Sequence, residues 1–351
     1  MISKLNVSTN KRILYFTLRK GSSGLYCFLL HMEFVKNIIG EELSIFEKKF
    51  AESVKSQAPL LDRIMKYIIK RKGKQLRPMF VFLSARLAGS VNESTYRAAA
   101  LVELLHTATL VHDDVVDESL ERRGFFSINA IWKNKIAVLV GDYLLSKGLL
   151  LSTTYDDFEH LHILSEAVKQ MSEGELLQIE KARKLNLKED IYFEIIRNKT
   201  ASLLASACAI GAYSTSKDKE ISGRMKLFGE KVGIAFQIKD DLFDYGNEDI
   251  GKPTGNDIKE KKLTLPLIYT LNKIDIQERR KLIYIIKNEN RDSSKIKVVL
   301  DTVVRSGGIV YAASKMSQYR DEALKILHGF SESPTRNAME ELVRYTTDRT
   351  Y

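Results

Sequence analysis

The stretch LVHDDVVDESL, residues 110–120, contains three aspartates in a strongly apolar run, and FQIKDDLFDYG, residues 236–246, repeats the same D-D-x-x-D pattern. At about 3.6 residues per turn, the first and last aspartate of each triplet lie on one helical face, one turn apart. Carboxylates among apolar neighbours are costly unless positive charge neutralises them. Oxygen-only ligands suit Mg²⁺, which typically binds one or two carboxylates together with substrate phosphates. The two triplets are Asp113, Asp114 and Asp117, and Asp240, Asp241 and Asp244.

One triplet alone fits a solvated acidic helix face equally well, but two copies with basic motifs nearby predict a metal site. The surrounding segments predict helices. Residues 98–123 contain no glycine or proline, and their apolar residues recur at intervals of three and four. No proline, the strongest helix breaker, occurs between Pro78 and Pro253. We therefore predict an all-α fold of about a dozen helices around one core, including a helix from about residue 93 to about residue 122.

Composition bounds the function. The chain has 351 residues, of which 44% are hydrophobic, and a formal net charge of +10. No stripe of interleaved basic and aromatic residues favours nucleic-acid binding. Two distant cysteines, Cys27 and Cys208, give neither a disulfide framework nor a zinc spacing. A reducing, cytoplasmic setting fits, and we expect no transmembrane segment because no apolar run reaches the required length.

The first 31 residues differ from the rest of the chain. They contain five basic residues and no acidic one, a short Gly-Ser-Ser-Gly stretch, and then Met32 follows. Three interpretations compete: a basic targeting peptide, a flexible tail, or translation from an upstream start. The apolar run at residues 25–30 is too short for a convincing signal peptide, so we favour the tail or the false start. We expect residues 32–351 to form a single helical domain.

Four basic motifs accompany the aspartates. RKGKQLRP, residues 71–78, predicts a turn that starts a helix, and helix N-termini flanked by Lys and Arg bind diphosphates. Arg122-Arg123-Gly124 follows the first triplet, where arginines also serve as partners of a helix C-terminus. Lys199-Thr200 stands where a helix starts. The cationic loop at residues 251–262 follows the second triplet and is suited to close over phosphate.

These motifs resemble, in order and spacing, the all-trans polyprenyl diphosphate synthases, members of the head-to-tail isoprenyl diphosphate synthase family. The resemblance runs from about residue 33 to the C-terminus and implies an isoprenoid synthase fold with helices around a central apolar cavity. The segments that carry it are GKQLRP (73–78), ELLHTATLVHDDVVDESLERRG (103–124), VLVGDYLL (138–145), EGELLQ (173–178), NKTASLL (198–204), FQIKDDLFDY (236–245) and GKPTGNDIKEKKLTLP (251–266).

The resemblance implies roles for individual residues. Asp113, Asp117 and Asp240 would bind Mg²⁺, with Asp114, Asp241 and Asp244 supporting them. The diphosphate of isopentenyl diphosphate would be held by Lys74, Arg77, His106 and Arg123. The allylic diphosphate would face Arg122, Lys199, Thr200, Gln237 and Lys262. His106 could also be a satisfied core histidine, but it lies on the helix that carries Asp113, and His112 is expected to be structural.

Some positions depart from the family pattern. Lys72 stands where a second glycine is frequent, and Gln75 replaces a basic residue. Phe126 stands where proline is usual, and Lys261 replaces a common glycine in the closing loop. None of these is a predicted metal ligand.

The implied reaction is a metal-assisted condensation. Charge neutralisation on the leaving diphosphate lets the allylic C–O bond break, and the double bond of isopentenyl diphosphate attacks the resulting cation. Apolar walls exclude water. A class I terpene cyclase and a non-catalytic partner subunit are rival interpretations, but the former typically has a different second metal motif and the latter typically loses one triplet. We expect a homodimer, with loose membrane association for product release.

Product length depends on the residues one turn before Asp113. Short-chain relatives carry bulky aromatics there, whereas this chain has Ala108 and Thr109. We therefore expect an open tunnel and a long product, with octaprenyl the best single estimate. Leu151 and Leu164 are candidates for the floor of the tunnel. A short-chain farnesyl or geranylgeranyl diphosphate synthase is the alternative.

Overall fold

Helices make up nearly all of the regular structure in the computed structural model, which describes residues 23–71, 73–122, 124–184, 188–246 and 255–348. The predicted all-α fold is confirmed. The helices are α1 (Ser23–Ser53), α2 (Pro59–Lys70), α3 (Leu76–Ala88), α4 (Glu93–Val116), α5 (Ile128–Thr154), α6 (Phe158–Lys184), α7 (Glu189–Ile196), a π-helical turn (Arg197–Ala201), α8 (Ser202–Ser216), α9 (Lys219–Phe243), α10 (Asn256–Lys259), α11 (Leu265–Lys273), α12 (Ile276–Asn288), α13 (Ser293–Ser306), α14 (Gly308–Leu327) and α15 (Pro334–Thr347).

Helix α4 starts as predicted but ends earlier. At its N-terminus, Asn92 and Thr95 form a capping box, which satisfies two of the otherwise unpaired backbone N–H groups. At its C-terminus the helix stops at Val116, not at residue 122, because Glu118 takes a positive φ of 51° that the helix cannot continue through. A two-residue antiparallel hairpin follows, with β1 (Glu121–Arg122) paired to β2 (Phe125–Phe126).

The centre of the molecule is α8, which is almost wholly buried between α3 and α9. Its small side chains permit unusually close approach of the neighbouring helices. A Cβ on Gly211 would lie 2.3 Å from the carbonyl oxygen of Val81 in α3. Likewise, a Cβ on Gly233 of α9 would lie 2.6 Å from Cα of Ala201. These contacts hold the backbones of the central helices at fixed distances.

Three buried apolar clusters surround this centre. The largest joins α1, α3, α4, α8, α9, α14 and α15, and includes Phe46, Phe82 and Leu342. The second fills the C-terminal helices, and the third lies between α2, α4 and α5. The C-terminal α15 packs against α1, so the two ends of the described chain share one core.

Helix α5 is the one described helix long and apolar enough to cross a membrane by length and composition alone, with a mean hydropathy of 1.4. The sequence analysis excluded such a segment; Asp142 and Lys147 interrupt the apolar run. Only 33% of the apolar window is buried in the chain. A single helix of this kind is weak evidence for a span, since helices of soluble proteins meet the same test.

Candidate active site

The largest described cavity has a volume of about 410 Å³ and lies between α6, the π-helical turn and α9. Predicted site residues form much of its wall. They are Asp240, Asp241 and Asp244 of the second triplet, together with Lys199, Thr200, Gln237 and Lys262. The structure therefore brings these distant residues together at one cavity, and their roles stay predictions.

Asp241 lies at the centre of a hydrogen-bond chain in this wall. Thr200 Oγ1 donates to Gln237 Oε1 at 2.8 Å, and Gln237 Nε2 donates to Asp241 Oδ1 at 2.9 Å. The other carboxylate oxygen accepts from the hydroxyl of Tyr192 at 2.7 Å. Burial raises the pKa of Asp241 to about 7, although the bonds from Gln237 and Tyr192 lower it. Both oxygens thus already have protein donors, which fits the supporting role predicted for Asp241.

Asp244 fastens the middle of the closing loop. Its carboxylate accepts from the backbone N–H groups of Asn256 at 2.8 Å and Asp257 at 3.0 Å. Burial raises the pKa of Asp244, while these backbone bonds lower it. Asp240 is exposed at the cavity wall, so the three aspartates of one motif have three environments. Residues 251–254 of the predicted loop lie outside the described residues.

The first triplet is divided in a similar way. Burial, followed by the charge of Glu175, raises the pKa of Asp113, and Lys199 opposes this shift. Asp114 is buried and accepts from Arg122 Nε at 2.7 Å. Asp117 caps the end of α4 and is exposed. In this motif, Asp114 is therefore the carboxylate that is already bonded to a side chain of the described residues, unlike Asp113 and Asp117.

Two lysines link the two triplets across the cavity. Lys199 forms an ion pair with Glu175 of α6, and its charge lowers the pKa of Asp113. Burial lowers the pKa of Lys262, but Glu260, Asp257 and Asp117 together raise it above its ordinary value. Both side chains line the cavity and carry positive charge. A diphosphate placed there would meet two cations and the carboxylates that suit a divalent metal.

Backbone electrostatics add to the negative charge. Helix α4 ends at Val116 with Asp117 as its C-cap, and α9 ends at Phe243 with Asp244 as its C-cap. Helix C-termini carry partial negative charge, so carboxylates there are unfavourable without a cation. Both triplets thus occupy the ends of helices at which a bound cation is most stabilising.

Lys199 and Thr200 lie in the π-helical turn between α7 and α8. The sequence analysis placed a helix start at this point, which is wrong because the helix continues through it. A π turn holds one extra residue within a helix and has no compositional signature, and such turns occur frequently at functional sites. The extra residue directs Lys199 and Thr200 to the same cavity.

A second, smaller cavity of about 140 Å³ lies beside Asp114, His106 and Gln75. At its edge, His106 is buried on α4, and its Nε2 lies 2.8 Å from Arg77 Nη1. Lys74 is exposed, with its ammonium 5.4 Å from the ring centre of Tyr345. Of the residues predicted to hold isopentenyl diphosphate, Arg77 and His106 are therefore in contact and His106 lines the cavity, whereas Lys74 is not among the lining residues. Arg123 lies outside the described residues.

Arg122 was predicted to face the allylic diphosphate. In the structure it lines the smaller cavity, where it donates to Asp114. The pairing of the hairpin explains this position, because Arg122 lies opposite Phe125 in a strand that the sequence did not predict. Its role as a diphosphate ligand stays a prediction.

A third cavity of about 220 Å³ is almost wholly apolar and lies between α4, α5 and α6. Leu101 and Leu105 of α4 line it, and they lie on the same helical face as Thr109 and Asp113, at intervals of four residues. Leu101 is about 18 Å from Asp113 along the helix axis. This cavity therefore extends along α4 away from the first triplet.

The two residues predicted to control product length differ in position. Thr109 is partly buried on the face that leads to the apolar cavity. Ala108 is fully buried and packs in the cluster that joins α4 to Val140 and Leu144 of α5. Of the two predicted floor residues, Leu164 lines the cavity, whereas Leu151 packs against the neighbouring apolar clusters.

Sequence reasoning missed several residues of the site. Tyr192 holds Asp241, Glu175 holds Lys199, and Asp257 lines the larger cavity. Burial, with the charges of Asp241 and Asp244, raises the pKa of Asp257 to about 7. The EGELLQ motif contained Glu175, but nothing in the sequence indicated its partner.

The donor set fits a divalent cation such as Mg²⁺. Carboxylate oxygens of the two triplets stand at two helix ends, and the buried ones have raised pKa values. No three His, Cys, Asp or Glu side chains of the described residues form a ready-made metal cluster. Such a partial ligand set is compatible with Mg²⁺, which usually completes its coordination with substrate phosphates and water.

The profile of the polyprenyl synthetase family matches residues 58–303. The chain belongs to this family. The synthase is 30% identical over 322 residues to the octaprenyl diphosphate synthase of Escherichia coli, covering 91% of this chain and 99% of that relative. It is 30% identical over 320 residues to heptaprenyl diphosphate synthase component 2 of Bacillus subtilis, covering 90% of each.

A solved structure extends the similarity to the fold. The polyprenyl synthase of Caulobacter crescentus, complexed with calcium and isoprenyl diphosphate, superposes with a TM-score of 0.83 at 32% identity. The match covers 91% of this chain and 98% of that one. The synthase is therefore a trans-prenyltransferase whose curated relatives make long polyprenyl diphosphates, which confirms the reaction class predicted from sequence.

Proposed function

We propose that this synthase uses Mg²⁺ and makes octaprenyl diphosphate as its main product. The observation that carries the long product is the apolar cavity aligned with Asp113 on one face of α4. Leu101 and Leu105 leave space beyond the small residue Thr109, so a growing tail can extend from the metal motifs into that cavity. The octaprenyl relative supports the length, and a farnesyl or geranylgeranyl product is the alternative.

The residues of the larger cavity would hold the allylic substrate. Lys199 and Lys262 of its wall would bind the diphosphate. Asp240 of the same wall would hold the cation together with Asp113 and Asp117 of the first triplet. When bound, Mg²⁺ neutralises charge on the leaving diphosphate. The Thr200–Gln237–Asp241–Tyr192 hydrogen-bond chain keeps this wall in place during ionisation.

The smaller cavity would hold isopentenyl diphosphate beside His106, which lines it, and Arg77, which contacts His106, and Lys74 would supply the positive charge. Its double bond attacks the allylic carbon, which forms a new C–C bond as the C–O bond to diphosphate breaks. Loss of a proton then converts the carbocation left by this attack into a new double bond, and the released diphosphate is a suitable proton acceptor. Apolar helix walls keep water from the cation.

We also propose a homodimer. Helix α5 exposes Val138, Leu139, Leu149 and Leu150, and the pairs lie about three helical turns apart on one face. An apolar face of this size is unusual for a monomer and suits a subunit contact. The name of the Bacillus relative, component 2, favours a second candidate, a catalytic subunit that needs a different partner chain.

One experiment tests these proposals together. The purified chain is incubated with farnesyl diphosphate, labelled isopentenyl diphosphate and Mg²⁺, and the products are resolved by chromatography and mass spectrometry. We expect octaprenyl diphosphate from the chain alone, at a light-scattering mass of twice 40.0 kDa. A dimer that stops at geranylgeranyl diphosphate, or that does not elongate the farnesyl primer, would contradict the long-chain proposal. A monomer inactive by itself would favour the two-component alternative.

The subcellular site is a separate proposal. We propose a cytoplasmic enzyme whose exposed apolar residues allow loose membrane contact when the product leaves. Cell fractionation checks this, because an integral membrane protein would resist extraction by carbonate.

A further inference from the structure

Hairpin β1–β2 forms one wall of the smaller cavity, although it is too short to be stable by itself. It contains two residues in each strand, and Phe125 and Phe126 are 48% and 59% exposed. Isolated two-stranded hairpins are at best marginally stable in water. Contacts from outside the hairpin must therefore hold it, and with it Arg122, in position.

The main contact comes from the C-terminal end of α2. The guanidinium carbon of Arg71 lies 3.5 Å from the ring centre of Tyr67 and 4.4 Å from that of Phe125. Arg71 Nη1 also donates to the Tyr67 hydroxyl. The planar guanidinium thus joins a ring of α2 to a ring of the hairpin. Lysine cannot replace this stacking, because its ammonium is a compact and strongly hydrated charge.

Tyr67 makes a second connection to the hairpin. Its hydroxyl donates to the backbone carbonyl of Phe126 at 2.6 Å. Its ring meets Trp132 of α5 edge to face, with centroids 5.1 Å apart. Tyr67 is therefore held by Trp132 and Arg71 while its hydroxyl bonds to the hairpin.

The same residues line the smaller cavity. Tyr67, Arg71, Phe125 and Phe126 stand in its wall together with His106, Asp114 and Arg122. Arg122 pairs with Phe125 across the hairpin and donates to Asp114. A displacement of Phe125 therefore shifts the strand that pairs with Arg122 and changes this wall of the cavity.

We propose that Tyr67, Arg71 and Phe125 form a clasp that positions hairpin β1–β2 as a wall of the cavity assigned to isopentenyl diphosphate. They are positioning residues, since they act through the wall of the cavity. This inference rests on the proposed assignment of the smaller cavity to that substrate. It predicts that weakening the clasp affects one substrate selectively.

The test measures KM for both substrates in Arg71→Lys and Phe125→Leu. Each change removes one stacked partner and keeps the charge or the apolar character. We expect KM for isopentenyl diphosphate to rise about 5- to 30-fold, since a stacked cation contributes about 1–2 kcal/mol. KM for the allylic substrate should change less than twofold. Arg63→Lys, at an exposed position on the same helix, is the matched control and should leave both constants unchanged.

The double variant separates the clasp from general damage. Because both residues belong to one stack, Arg71→Lys with Phe125→Leu should raise KM no more than about twofold beyond the larger single effect. Tyr67→Phe keeps the ring but loses the bond to Phe126, so we expect an intermediate rise.

Additive effects, equal changes in both KM values, or a change in the allylic KM alone would overturn the clasp. Unchanged KM values with only a lower melting temperature would also overturn it, since they indicate a purely structural role. These outcomes leave the proposed function intact if the wild-type chain makes a polyprenyl product. Failure of the wild-type chain to do so would overturn the proposed function itself.

Discussion

At the residue scale, the aspartates of each triplet are not equivalent. Asp114 and Asp241 are buried and bonded to protein donors, and Asp244 is bonded to the backbone of the following segment. Asp113 and Asp240 stand closer to the lysines and the open cavity. Aspartates that look alike in the two sequence motifs therefore have different environments. Their substitution should affect activity and stability to different extents.

Asp113→Ala and Asp240→Ala should each lower kcat by several powers of ten, because charge on the leaving diphosphate is no longer neutralised. Far-ultraviolet circular dichroism should show an unchanged helical fold. Asp301→Ala, an exposed aspartate on α13, is the control and should retain full activity. Wild-type protein treated with chelator should lose activity and regain it with Mg²⁺. Normal turnover by either variant would contradict the assigned metal ligands.

Asp241 should make the metal-free protein less stable as the pH rises. Its folded pKa of about 7 lies above the ordinary value of 3.8, because burial disfavours the charged form. The folded state therefore binds more protons between these values, and this contribution to the free energy of unfolding is lost as the pH rises through about 7. Asp241→Asn mimics the protonated group.

Urea unfolding in chelator at pH 5 and pH 8 checks this prediction. We expect the free energy of unfolding of the wild-type protein to fall more between the two values than that of Asp241→Asn. Parallel profiles for the two proteins would show that the carboxyl group titrates normally.

At the element scale, the helices were largely predictable because apolar spacing follows their period. What failed depended on backbone detail. The end of α4 was placed six residues too late, since nothing in the composition marks the positive φ of Glu118. Lys261 was noted only as a departure from glycine, and its φ of 58° shows that the position requires the left-handed region.

The site was predictable in its chemistry but not in its internal contacts. Motifs identified the six aspartates and the lysines, because charged residues in apolar helices are conspicuous. The bond from Tyr192 to Asp241 joins residues 49 positions apart, and a tyrosine in an apolar helix looks like core. The position of Arg122 depends on a hairpin too short to give a strand pattern.

The close contact between α3 and α8 predicts a strong effect of one methyl group. Gly211→Ala places a Cβ 2.3 Å from the backbone oxygen of Val81, which cannot move without shifting α3. We expect a loss of about 1–3 kcal/mol in the free energy of unfolding. Gly223→Ala on α9 meets nothing within 4 Å and should be neutral or stabilising by up to about 1 kcal/mol. Chemical denaturation compares the two, and equal stabilities would contradict the rigid contact.

Substitutions on α4 should separate product length from stability. Thr109→Phe places a ring between Asp113 and the apolar cavity, so we expect shorter products with the initial condensation preserved. Ala108→Phe was predicted from sequence to do the same, but the buried site against α5 adds overpacking, so we expect mainly a lower melting temperature. Product mass spectra and thermal unfolding are the measurements. A Thr109→Phe enzyme with unchanged products would place the tail elsewhere.

At the scale of the whole molecule, the N-terminal extension of residues 1–31 overlaps the start of helix α1. The backbone of α1 is helical from Ser23, whereas its buried side chains include Val35, Ile39 and Phe46, which pack with α15. That residues 1–31 are dispensable stays a prediction. The structure describes the side chains of α1 from Met32 onward.

A protein that starts at Met32 should match the full chain in turnover and in melting temperature. A protein that starts at Glu41 loses Val35 and Ile39 and should be less stable, since each buried side chain contributes about 1.5–3 kcal/mol. Thermal unfolding and turnover of the three proteins provide the test. Aggregation of the Met32 protein would show that the extension is structural.

The single face of α4 that joins Asp113 to Thr109, Leu105 and Leu101 has a consequence for how products can vary. These positions recur every fourth residue, so a bulky side chain can stop the tail only at steps of about 6 Å. Substitutions at the residues between them point to other faces and should not change the product. Backbone geometry fixes the spacing of the positions at which the tail can be stopped. The available product lengths should therefore be discrete, and their order should follow the order of these positions along α4.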